Sequence, residues 1–194
     1  MAGLTGEQRY FLYLIAIAAG FRASELRSLC SADFRVRSRI PHIVLSGENA
    51  RNHKETQQPI QAETAVELAR WLTGKPAKQP LWPGLWHKKA AKMLRTVLVA
   101  ARVQYRVNVR VLDFHSLRGT FITSLSREGV HPRKAQILAL HSDINLTKQS
   151  YTHLTLEEIA EALPKRAPNA HHGGGIRGHF GSQSVTSENG QKSA

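Results

Sequence analysis

Tyr10 to Ala19 is apolar on almost every side, and Thr5-Gly6-Glu7-Gln8 ahead of it reads as a capping box. The pattern predicts a central, buried helix ending at about Ala19, where Gly20 stops it. Ala23 to Leu29 predicts a short second helix, with Arg22 at the junction. The period then changes. Pro41 to Leu45 alternates like a strand, Ser46 to Asn52 carries turn residues, and Lys54 to Ile60 reads as the return strand of a small hairpin with a long polar tip. Gln61 or Ala62 opens a helix over Glu63 to Leu72, and Gly74 to Gly84 is a proline-rich loop. Trp86 to Val103 predicts a long helix, positive on one side. Asp113 leads into a helix from His115 to about Arg127, closed by Gly129. Pro132 starts another, to Leu140. Leu146 to Tyr151 is a short helical segment. Thr155-Leu156-Glu157-Glu158 is a second capping box, opening a helix to Leu163. From Lys165 the composition collapses to Gly, Ser, Asn, His and Gln, which predicts a disordered tail over 165–194 after one domain over 1–164. The fold class expected is mainly α with a small β-hairpin.

Charge changes this picture. Of 194 residues, 27 are Lys or Arg and 14 are Asp or Glu, a formal net charge of +13. A polyanionic partner follows, with nucleic acid ahead of membrane lipid. Cys30 is the single cysteine, so an internal disulfide is excluded and a cytoplasmic setting is expected. It reads as a small buried hydrophobe rather than a nucleophile. The apolar run after Arg9 faintly resembles a signal peptide but is too short to span a bilayer.

Five chemistry-bearing side chains remain: Arg22, His115, Arg118, His141 and Tyr151. Together they suit attack on a phosphodiester. Guanidinium forks match two phosphate oxygens and act where charge develops. A phenol, with a pKa of about 10, leaves more easily than a sugar alcohol, so a phosphotyrosine stays reactive. His115 and Arg118 lie three residues apart, on one helical face. His115 can accept a proton and His141 can bond a phosphate oxygen. Taken singly, the structural reading is favoured: a surface or capping arginine for Arg22, a hydrogen-bonded core histidine for His115 and for His141, and an interface or core residue for Tyr151. There is no glycine-rich phosphate loop, HExxH helix or CxxC pair, and Asp33, Asp113 and Asp143 are too scattered for a metal nuclease.

Gly20-Phe-Arg-Ala-Ser-Glu-Leu26, His115-Ser-Leu-Arg118, Leu140-His-Ser-Asp143 and Tyr151-Thr-His153 together resemble the catalytic signature of tyrosine recombinases, the phage integrases. The resemblance covers roughly Leu4 to Leu163. It implies the catalytic-domain fold of these DNA breaking-rejoining enzymes. It also implies clamping of the scissile phosphate by Arg22 and Arg118, acid/base work by His115, phosphate support by His141 and attack by Tyr151. No metal or nucleotide cofactor is implied. The partners implied are double-stranded DNA and further copies of the chain, as a tetramer on paired sites.

Three departures stand out. The family's hairpin lysine, which protonates the leaving oxygen, aligns with Arg51. Arginine holds its proton too tightly for that task, and Lys54 is the alternative general acid. Gly119 stands where the family usually has histidine. An N-terminal DNA-clamping domain is not in this sequence, which suggests a fragment or half of a two-part protein. Competing readings are a non-catalytic DNA-binding remnant and a type IB topoisomerase-like activity, with a basic RNA-binding protein further behind.

Overall fold

A computed structural model of the chain describes residues 3–50, 53–107, 110–140, 145 and 147, all within the unit Met1–Ala162. Helix α1 spans Gly6–Ala19. The expected capping box starts it: the Thr5 hydroxyl accepts from Gln8 N–H at 3.1 Å, and the Gln8 side chain accepts from Thr5 N–H at 2.9 Å. Phe11, Leu12, Ile15, Ala16 and Ala19 are buried. The helix is not enclosed all round, however. Tyr10 and Ile17 reach solvent, and the Tyr10 hydroxyl donates to Glu67.

Helix α2 spans Ala23–Leu26, shorter than the expected run to Leu29. The Ser28 hydroxyl donates to the Glu25 carbonyl at 2.7 Å, the group a continuing helix would offer to Leu29 N–H. Leu29 N–H turns to Leu26 O instead.

The expected hairpin is the larger part of a three-stranded antiparallel sheet. Strands β1 (Phe34–Arg35), β2 (His42–Leu45) and β3 (Thr56–Pro59) lie in that order, with Ile43 opposite both Phe34 and Gln58. Strand β1 is two residues long, too short for alternation to reveal it. Ile43 and Leu45 are fully buried. Beyond β2, Ala50 N–H donates to Ser46 O at 3.0 Å and Ala50 packs into the core, which folds this end of the sheet inward.

Helix α3 spans Ala62–Trp71. The helix expected from Trp86 begins as a 3-10 turn over Trp86–Lys89, and α4 runs Ala90–Ala100. It stops short of Val103 because Arg102 takes a positive φ of 57°. A small unforeseen hairpin follows, β4 (Arg106–Val107) with β5 (Arg110–Val111). Helix α5 spans Phe114–Arg127 and α6 spans Pro132–Leu138, the latter capped by the His131 ring accepting from Arg133 N–H. The helix expected from Thr155 and the tail from Lys165 lie outside the described residues.

The core is threaded by aromatic rings. Phe11 stacks on Trp71 at 4.3 Å between centroids, and Trp71 on Trp82 at 5.6 Å. Trp86 and Tyr13 both meet Phe114, at 5.7 and 6.1 Å. Each buried indole of Trp82 and Trp86 donates its N–H, to Gln8 O and Trp82 O respectively. Phe114 is therefore gripped from two sides, and the next residue in the chain is His115. No helix among the described residues is long and apolar enough to cross a membrane.

Candidate active site

Gly20 is where the site begins. It ends α1 at φ 69°, a conformation glycine adopts freely. A Cβ there would sit 2.3 Å from the Phe121 ring, so only glycine lets α1 press this closely on α5. Arg118, on α5, uses that approach. It is buried, at 2% exposure. Its Nη1 donates to Gly20 O at 2.5 Å and its Nη2 donates to Ala139 O just past α6. One guanidinium thus ties three segments far apart in sequence. Two residues after Gly20 comes Arg22, and two residues after Ala139 comes His141.

Arg22 is the N-cap of α2, with extended backbone. Its N–H donates to Glu25 Oε2 at 2.8 Å and its Nη1 donates to Glu25 Oε1 at 3.0 Å. The Glu25 side chain is 2% exposed and that of Arg22 19% exposed. The buried carboxylate fixes the guanidinium and leaves part of it at the surface. Reasoning from sequence overlooked Glu25. Its signal was present: a Glu at the third helical position reaches back to the cap.

His115 stands in the first turn of α5 and is exposed. The helix start beneath it is firm: the Asp113 carboxylate accepts from Ser116 N–H at 2.9 Å, and Asp113 N–H donates to Ser116 Oγ at 3.1 Å. Sequence spacing put His115 and Arg118 on one face, and their burial differs sharply. The histidine opens to solvent while the arginine is enclosed by main chain. Gly119 is exposed, and a Cβ there would meet nothing within 4 Å. Lys54 is exposed just before β3. Arg51, His141 and Tyr151 lie outside the described residues. Leu140, directly before His141, has φ 52°, a strained value for a branched side chain.

The phenols of Tyr10 and Tyr13 both hold their protons more tightly than a free tyrosine does. The Tyr10 phenol is pushed up by its hydrogen bond to Glu67, with smaller effects of burial and the carboxylate charge. Burial pushes up Tyr13, against the opposing charge of Arg9. The Cys30 thiol is likewise raised, by burial and by Asp33. Among the described residues, no group of three or more His, Cys, Asp or Glu side chains could hold a metal ion.

The basic charge is concentrated. No carboxylate occurs between Glu67 and Asp113, while Arg70, Lys75, Lys78, Lys88, Lys89, Lys92, Arg95, Arg102, Arg106 and Arg110 fall there. Lys88, Lys89, Lys92 and Arg95, on α4 and the turn before it, are exposed.

The model of the phage integrase family matches residues 5–158. The chain belongs to that family. Among curated integrase relatives, it is 30% identical over 156 residues to tyrosine recombinase XerD of Proteus mirabilis, covering 75% of this chain and 47% of that one. It is 26% identical over 162 residues to XerD of Yersinia pestis, covering 80% and 53%. The chain spans about half the length of these relatives. Its fold is that of the tyrosine recombinase catalytic domain. XerH bound to palindromic difH substrate in a post-cleavage complex matches with TM-score 0.60 at 19% identity, over 82% of this chain and 46% of that one. XerA recombinase matches with TM-score 0.54 at 20% identity, over 81% and 62%.

Proposed function

We infer that this integrase-family chain cuts and rejoins double-stranded DNA in site-specific recombination, through a 3′-phosphotyrosyl intermediate. One observation carries the reading: Arg118 bonds Gly20 O and Ala139 O, and so gathers the segments that bear Arg22 and lead to His141. The basic, acid-free stretch before α5 supports the choice of substrate.

In this mechanism Tyr151 attacks the scissile phosphorus while its phenolic proton passes to His115. Arg22, oriented by Glu25, balances the charge that grows on the phosphoryl oxygens, Arg118, whose Nη atoms are held by Gly20 O and Ala139 O, adds its positive charge to the site, and His141 donates to one of the oxygens. The P–O5′ bond breaks and the departing 5′-oxygen takes a proton from the hairpin cation. Lys54 fits that role better than Arg51, because an ammonium releases its proton far more readily. A 5′-hydroxyl from another strand then expels the tyrosine. Exchange between two duplexes needs four such sites, which is the basis for a homotetramer on paired DNA, in the cytoplasm.

The test is a nicked suicide duplex. The full chain should form a covalent protein–DNA adduct, and Tyr151→Phe should form none. Adduct persisting in that variant overturns the assignment. Lys54→Ala should slow adduct formation while Arg51→Lys changes it little; strong acceleration by Arg51→Lys would move the acid role to that position. Gly119 and Arg51, which depart from the family pattern, favour a second reading as a DNA-binding remnant. Duplex binding with no adduct from any substrate would support it.

A further inference from the structure

The end of β1 and its connection to β2 carry three arginines in five residues, Arg35, Arg37 and Arg39, and the sequence from Phe34 to Gly47 holds no carboxylate. The nearest acid, Asp33, is occupied: its carboxylate accepts from Cys30 N–H at 2.7 Å. Arg37 and Arg39 are exposed and make no ion pair or hydrogen bond among the described residues. Like charges crowded this closely repel in the free protein, so the arrangement favours an anion outside it.

The turn is held in shape. Ser38 Oγ lies 2.7 Å from Arg35 O and 2.6 Å from Ile40 O, and Ser38 N–H donates to Arg35 O at 3.3 Å. The His42 ring bonds Ile40 O through Nδ1 at 2.8 Å, and Ile60 N–H donates to Pro41 O at 3.0 Å. The Arg35 guanidinium donates to Ala32 O. A hollow of about 370 Å³ on one side is bordered by Arg35 and Arg37, and one of about 450 Å³ on the other by Arg39 and His42.

We propose that this arginine turn is a second phosphate-binding surface, which grips the DNA backbone away from the bond that is cut. The proposal rests on the DNA reading above. Strand β2, His42–Leu45, separates the turn from the connection that bears Lys54, and four strand residues span about 13 Å. Forked guanidiniums match phosphate oxygens two at a time. A protein partner needs an apolar core to its interface, and the turn offers one exposed isoleucine, Ile40.

The experiment titrates the full chain and its R37A/R39A variant with a duplex across a range of salt. Arg35 is kept because it braces Ala32 O. Each lost phosphate contact should lower the slope of log affinity against log salt by about 0.9, so the double variant should lose about two. R37K/R39K should recover most of that slope, and the adduct rate on saturating suicide duplex should not change. A folded R37A/R39A chain with an unaltered slope overturns the proposal. So does unaltered DNA affinity accompanied by lost binding to polyglutamate, which would give the turn to a protein partner. Adduct formation with an unaltered slope sinks this surface alone. A lowered slope with no adduct in the full chain sinks the cleavage reading alone.

Discussion

Arg22 and Glu25 show how one buried carboxylate serves two purposes. It completes the start of α2 through the Arg22 N–H and it aims the Arg22 guanidinium. Removing one member of such a pair strands the other. Glu25→Ala should cost about 2–4 kcal/mol, read as a lower denaturant midpoint, and should also slow adduct formation at saturating DNA. A loss of stability without any change in rate would confine Glu25 to the fold. Gly119 is the opposite case. It lies inside α5, exposed, with open space where a Cβ would go. Gly119→Ala should raise stability by about 1 kcal/mol, seen as an upward shift of about 2–4 °C in Tm. No shift would mean that this turn of α5 is already strained or frayed.

At the scale of elements, the 3-10 turn over Trp86–Lys89 joins the aromatic core to the basic helix α4. His87 sits in it, half-buried, with Nδ1 enclosed and no hydrogen-bond partner among the described residues. Its pKa is lowered, chiefly by burial and then by the charges of Arg27 and Lys88. A histidine with a depressed folded pKa binds fewer protons folded than unfolded. Stability is therefore whole above the unfolded pKa of about 6.5 and falls as pH drops through it towards the folded value. Thermal melts from pH 8 to 5 should show this decline, and His87→Gln should flatten it. A decline that survives His87→Gln would place its source in another histidine.

For the molecule as a whole, charge is segregated along the chain. Ten cations and no carboxylate lie between Glu67 and Asp113, and they lead directly into the helix bearing His115 and Arg118. A basic stretch of this kind is expected to attract a polyanion, the more weakly the higher the ionic strength. Replacing Lys88, Lys89 and Lys92 with alanine should cut the salt slope of duplex binding by up to about three. Their side chains are exposed, so the fold should be retained, as far-UV circular dichroism would check. An unaltered slope would exclude α4 from duplex binding.

Residue order and local period were enough to place most elements and to propose the site residues. The Thr5 capping box, Gly20, Asp113 before α5 and Pro132 before α6 are signals that work through neighbours a few residues away, which is why they could be read along the chain. The four separated motifs likewise named the family. Strands β1, β4 and β5 escaped notice because two residues carry no period, and their ladders depend on partners brought by folding. The same holds for the burial of Glu25 and for the carbonyls that receive Arg118. Gly20 is 98 residues from Arg118 in sequence, and only the packing of α1 on α5 makes them neighbours. A hydrogen bond's donor can be named from residue type, but its acceptor is a matter of which backbone arrives within 3 Å, and that is settled by the assembled core.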